Sequence, residues 1–171
     1  MVDLGTYKDR FGETGQNIFE NALRESKQRD QNYVAVEHIL HAFVTEEGEL
    51  FDSTMRDLSL DPYAVRAQIE RRLENNRFQH VGKGLRIAPD TIDLFKRAME
   101  RARAQGRKTI EATDLFMALV QEGGLLPGLL SRNFGINSES LSENVRVRVR
   151  TRELDDEATR KKFELPPYLK H

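Results

Sequence analysis

The chain has 171 residues, with 27 basic against 28 acidic side chains and a formal net charge of −1, so no global field draws it to nucleic acid or to a membrane surface. It contains no cysteine, which excludes disulfides and thiol chemistry, and its longest apolar runs fall far short of the roughly 20 residues that cross a bilayer. Residues Met1 to Leu4 lack the basic and apolar blocks of a signal peptide, and the expectation is a soluble cytoplasmic protein.

The first predicted helix places Phe19, Ala22, Leu23 and Ser26 on one stripe at three-and-four spacing. The second carries Ile39, Leu40, Phe43 and Val44, a wide apolar face suited to a central helix, and Gly48 is expected to stop it. Leu50, Phe51, Met55 and Leu58 mark a third. The fourth opens at Asp61-Pro62, an N-cap followed by proline at the first helical position, and carries Val65, Ile69 and Leu73. Residues 76–88 then read as a linker.

Beyond the linker the pattern returns. Phe95, Ala98, Met99 and Ala102 make a fifth helix, and Leu115, Phe116, Leu119 and Val120 a sixth, with Gly123-Gly124 expected at its end. Leu126, Leu129, Leu130 and Phe134 form a seventh, with Pro127 tolerated near its first turn. Leu141, Val145 and Val149 follow Asn137-Ser138 in an eighth. Val145 to Arg150 also alternates as a strand would, but its counterpart in the first half reads as helix, and helix is the reading taken. Residues 151–171 are charged, end in Leu165-Pro166-Pro167-Tyr168-Leu169, and read as an interdomain linker.

The return is a duplication. With an offset of 76, residues 16–73 lie over 92–149 without a gap, and Phe19/Phe95, Ala22/Ala98, Ala42/Ala118, Val44/Val120, Gly48/Gly124, Leu50/Leu126 and Arg72/Arg148 are identical. A repeat of this size buries only about 60% of its unfolded surface and is marginal alone, so the copies are expected to share one core. The predicted architecture is all-α: two pseudo-symmetric four-helix repeats packed as one eight-helix domain over 10–150, with repeat one at 10–75 and repeat two at 89–150.

Chemistry-bearing groups are sparse. His38 and His41 beside Glu37 invite a metal reading, but zinc needs three or four converging ligands and no third offers itself; His38 is expected to bond inside the bundle and His41 to face solvent. The acid clusters at Glu46-Glu47-Glu49 and Asp155-Asp156-Glu157 fall in a turn and a linker, where nothing would raise a carboxyl pKa for catalysis. Gly82-Lys83-Gly84 lacks the first glycine, the spacing and the hydroxyl of a phosphate-binding loop. The basic run Arg146 to Arg152 lacks interleaved aromatics to stack bases. No catalytic, metal or cofactor residue is assigned. Tyr7, Phe11, Phe78 and Val81 lie outside the repeated core positions and are candidates for an apolar peptide-docking surface, or else for closing the ends of the bundle.

The arrangement resembles the duplicated N-terminal domain of the Clp family of AAA+ unfoldases and disaggregases. The resemblance rests on Arg10-Phe11-Gly12, on Val36-Glu37-His38-Ile39-Leu40, on Glu46-Glu47-Gly48-Glu49 and on Leu58-Ser59-Leu60, with Ile87-Ala88-Pro89, Ala112-Thr113-Asp114-Leu115-Phe116, Glu122-Gly123-Gly124 and Phe134-Gly135-Ile136 in the second copy. Its nearest group by these motifs is ClpC-like. The resemblance implies a non-catalytic domain that docks adaptor proteins or unfolded substrates above an ATPase ring. ATP and magnesium would bind a downstream module, the parent would be a hexamer and this segment a monomer, and a ClpP-type protease could join through the parent. A free-standing interaction protein of the same fold, or an unrelated helical regulator, are the alternatives. In the phosphoarginine-reading subgroup, a glutamate of each repeat receives the guanidinium. Here Glu37 keeps the first, Thr113 replaces the second, and Gly12 and Ala88 replace the assisting threonines. The resemblance therefore implies at most one recognition site, around Arg10, Phe11 and Glu37.

Overall fold

In a computed structural model, which describes residues 2–3, 7–31, 33–75 and 84–162, the chain forms eight helices: α1 (Glu13–Gln28), α2 (Val36–Glu46), α3 (Gly48–Asp57), α4 (Pro62–Asn75), α5 (Pro89–Ala104), α6 (Ala112–Leu119), α7 (Leu125–Phe134) and α8 (Ser138–Lys162). The offset of 76 carries the starts of α1, α2 and α4 onto those of α5, α6 and α8 to the residue, because the same caps and apolar stripes recur. Tyr63 N–H donates to Asp61 Oδ1 at 3.0 Å at the start of α4, and Ser140 N–H donates to Asn137 Oδ1 at 3.0 Å at the start of α8. The all-α architecture is confirmed, and the described residues add three two-residue strands: β1 (Val2–Asp3), β2 (Tyr33–Val34) and β3 (Arg86–Ile87). The alternating run from Val145 to Arg150 is helical, with Val145 and Val149 in the core.

Helix stops differ from the glycines first read. Gly48 opens α3 directly after α2, and Gly124 caps the start of α7. The left-handed stops after α5 and α7 are Gly106 (φ +77°) and Gly135 (φ +68°), and their counterparts after α1 and α3 are Asp30 (φ +56°) and Ser59 (φ +61°).

The repeats interlock crosswise. β3 pairs in parallel with β2, placing Ile87 of repeat two against Val34 of repeat one, and antiparallel with β1. The symmetry-related contact is a parallel bridge between Phe11 and Ile110, in which Gly12 N–H donates to Ile110 O at 2.9 Å and Ile110 N–H to Arg10 O at 2.8 Å. Each repeat's approach segment is therefore held by the other repeat. Phe19 and Phe95, equivalent residues, meet edge-on at 5.7 Å, and Phe43 meets Phe116 at 4.5 Å. One continuous core runs through both copies, which solves the marginal size of each.

α8 runs past the repeated length. Residues 151–162, read as the start of a linker, continue the helix, and Glu153 is tied back to repeat two; residues 163–171 lie outside the described residues.

Candidate functional site

The motif segments sit at the first turns of α2 and α6. At each, the third helical residue turns back to accept the N-cap backbone N–H: Ala35 N–H donates to His38 Nδ1 at 2.9 Å, and Glu111 N–H donates to Asp114 Oδ2 at 2.8 Å. Both side chains are fully buried. With Nδ1 accepting, the His38 proton sits on Nε2 and is donated to Gln31 Oε1. Burial, reinforced by the nearby Arg29 charge, pushes His38 down to about 4, so the ring is neutral. His41 does not simply face solvent: its Nε2 meets Glu70 at 2.8 Å, and Glu70 also takes Arg29 at 2.7 Å. Among the described residues no group of three or more histidines and acids gathers as a metal site.

Asp114 instead sits in an ionic cluster. Arg101 Nη1 donates to its Oδ1 at 2.7 Å, and Arg107 forks onto both of its oxygens. Glu153 closes the cluster at 2.8 Å from Arg101 and accepts from Thr113 at 3.2 Å. Burial opposes the Glu153 charge, yet the two arginines and Thr113 outweigh it and hold the carboxyl below its usual range. Thr113, the equivalent of Glu37 at the offset of 76, thus serves packing within repeat two.

Glu37 lines an open cleft of about 770 Å³ between the repeats. Its walls are the first turn of α2, the start of α5 (Asp90, Asp93, Arg97) and the turn between α6 and α7, with Leu94, Leu119 and Leu125 supplying apolar surface. Burial raises the Glu37 carboxyl, and Asp90 adds to that rise against the opposing charge of Arg72. The Nε of Arg97 is buried and makes no hydrogen bond among the described residues.

The other sequence candidates go elsewhere. Tyr7 and Phe11 are buried, so neither offers an exposed docking surface. Phe11 stacks on Phe19 at 4.7 Å and meets Phe95 edge-on at 5.0 Å, and Tyr7 lies 5.5 Å from Phe95. They close the joint between the repeats. Arg10 is exposed, its guanidinium 4.8 Å from the Tyr7 ring centroid. Crosswise pairing puts Arg10 and Phe11 beside Ile110 and the start of α6, whereas Glu37 faces α5, so these three do not form one site. Phe78 and Val81 lie outside the described residues. Three cations of the basic run are paired within the chain: Arg146 meets Glu143 at 2.9 Å, Arg148 forks onto Asp57 at 2.5 and 2.7 Å, and Arg152 binds Glu47 at 2.9 Å. No helix among the described residues is long and apolar enough to cross a membrane.

Residues that the sequence reading missed are Arg72, Arg97, Arg132 and the α6–α7 turn, which complete the Glu37 cleft. Their signal was obscured because they come from four separate elements.

Residues 10–133 match the family described as the Clp repeat (R) N-terminal domain. The Hsp104 N-terminal domain from Candida albicans superposes with a TM-score of 0.68 at 14% identity, over 79% of this chain and 88% of that one. The N-domain of ClpV from Vibrio cholerae gives 0.64 at 19% identity, over 87% and 90%. A ClpV N-domain in complex with a VipB peptide gives 0.62 at 18% identity, over 87% and 92%. At these identities the likeness is one of fold.

Proposed function

Because the chain belongs to the Clp repeat N-terminal domain family, we propose that it is a non-catalytic recognition module that takes in adaptor proteins or unfolded substrate segments for a Clp-type ATP-driven unfoldase. The observation that supports this most is the open inter-repeat cleft, whose apolar patches and interleaved charges suit a short extended peptide. A peptide of a partner protein bound to a ClpV N-domain is a precedent in the same fold. Placement near the ClpC-like group is supported by Glu37-His38-Ile39-Leu40 and by the position of Glu37 in the cleft. A downstream module binding ATP and magnesium, a hexameric parent, a ClpP-type protease partner and a cytoplasmic setting rest on the family resemblance.

The test is a peptide array of varied composition, read by binding of the purified chain, with phosphoarginine peptides as one arm. Saturable binding that Glu37→Ala and Leu125→Asp weaken is the expected result. No saturable binding to any peptide class would remove the proposal.

A further inference from the structure

Helix α8 outruns the core that holds it. Its apolar anchors Leu141, Val145 and Val149 end about one turn before Glu153, and every side chain at 154–162 is exposed. Among the described residues the ion pairs of that stretch stay within α8, Arg152 with Asp156 and Lys161 with Glu157, both at 3.3 Å. Such pairs stabilise a helix by only about 0.2–0.5 kcal/mol each, and a helix shorter than about 12–15 residues is marginal in water by itself. The stretch is helical because it grows from a turn already held. Whatever holds residues 152 and 153 therefore decides the rest.

Two adjacent side chains do the holding, and they grip different repeats. Neighbours on a helix point about 100° apart. Arg152 reaches repeat one, where Nη1 and Nη2 donate to the two oxygens of Glu47 at 3.4 and 2.9 Å, and the Glu47 side chain is only 11% exposed. Glu153 reaches repeat two and accepts from Arg101 at 2.8 and 3.0 Å, from Arg107 at 3.2 Å and from Thr113 at 3.2 Å. Forked arginine–carboxylate pairs fix direction as well as distance. Partial burial leaves them less screened by salt than pairs in open solvent.

The two seats belong to the helices that frame the Glu37 cleft. Glu47 closes the end of α2, whose first turn carries Val36 and Glu37 into the cleft. Thr113 lies in the first turn of α6, whose last residues, Ala118 and Leu119, line the cleft. Between those ends α2 and α6 meet at Phe43 and Phe116. Each helix thus has one end at the cleft and the other under α8.

We infer that Arg152 and Glu153 form a two-sided clasp, which keeps α8 beyond it a rigid arm while α2 and α6 hold their spacing and releases the arm when that spacing changes. This goes beyond the recognition role and stands whether or not the cleft takes a peptide. The arm leads to residues 163–171, so the clasp sets the direction in which the chain leaves the two repeats. Both grips are needed at once, because with one lost the segment pivots on the other.

The experiment follows hydrogen–deuterium exchange of the whole chain, amide by amide, in the wild type, Arg152→Gln, Glu153→Gln and the double variant. Glutamine has nearly the helix propensity of arginine and glutamate, so the changes remove the grips without disfavouring the helix. Wild-type amides at 154–162 are expected to be protected, and each single variant to speed their exchange about tenfold or more, the loss of a charge-assisted contact. The double variant is expected to go little further than either single one, because a clasp is lost only once. Phe43→Leu, which loosens the contact of α2 with α6, is expected to speed exchange at 154–162 severalfold in the wild-type background and not in the double variant. Arg160→Gln, on the arm but outside the clasp, is expected to change nothing. Amides of α5 and α6 are expected to keep their protection in both single variants at the clasp.

Unprotected wild-type amides at 154–162 overturn the inference, since there is then no arm. Effects of the two single variants that multiply overturn it too, since the grips are then independent surface bridges. An equal loss of protection in α5 and α6 means that the charges hold the core and not the arm, and an equal effect of Arg160→Gln means that removing any charge suffices. Phe43→Leu without effect, or with the same effect in both backgrounds, removes the link to the spacing of α2 and α6.

Discussion

In repeat one, Gln31 meets a neutral His38 beneath the start of α2; 76 residues on, Arg107 meets Asp114 beneath the start of α6 as a buried ion pair. The backbone task is the same, since each third helical residue accepts the N-cap N–H. The fold thus requires an acceptor at that point and is indifferent to its charge. Its surroundings are not indifferent. A fully buried carboxylate needs cations, and repeat two supplies Arg101 and Arg107, then balances them with Glu153 on the part of α8 that has no counterpart in repeat one. The neutral contact of repeat one needs no such extension.

The largest expected effect tests the ionic side of that contrast. Asp114→Ala strands two partly buried arginines and removes the cap, and is expected to cost about 3–5 kcal/mol in a denaturant titration. A cost below about 1 kcal/mol would mean that Glu153 satisfies both arginines by itself.

The neutral side is tested with pH. His38 titrates at about 4 in the folded protein against 6.5 unfolded, so its contribution is complete above 6.5 and is lost as pH falls towards 4. The loss is expected to be on the order of 3 kcal/mol across that window. His38→Gln should flatten this part of the stability profile, and an unchanged slope would assign it to other groups.

A smaller contrast lies at positions 15 and 91. Thr91 Oγ1 donates to Val34 O at 2.9 Å, whereas at Gly15 the equivalent carbonyl, Ile110 O, lies 2.1 Å from where a Cβ would stand. Gly15→Ala therefore forces backbone apart at the crosswise joint and is expected to cost about 1–3 kcal/mol in thermal melts. Tolerance without loss would show the joint to be softer than its packing implies.

Least in size and opposite in sign is the helix stop after α3. Ser59 holds the left-handed conformation that Gly135 adopts freely in the other copy. Ser59→Gly is expected to stabilise by about 0.5–1 kcal/mol, and calorimetry showing no gain would mean that Ser59 makes a compensating interaction.

Much of the fold was legible in the chain. Helix boundaries followed from caps and stripes that recur at a fixed offset, as Asp61-Pro62 and Asn137-Ser138 illustrate. The site was less so. Tyr7 and Phe11 looked surplus to each repeat's core because their partners, Phe95 and Ile110, belong to the other repeat. Arg72 looked like one repeated surface charge of the duplication, and its place beside Glu37 in the cleft emerges only where α2, α4 and α5 come together.

The sequence by itself determined the eight helices, the duplication and the absence of a phosphate-binding loop among these residues, because caps, periodicity and motif spacing are local properties. Tertiary structure alone decided that the approach segments cross between repeats, that Asp114 is held by two arginines and an added helix, and that Glu37 and Arg72 line one cleft. Those outcomes depend on which side chains meet across dozens of residues of chain, and a buried charge acquires its meaning only from that meeting.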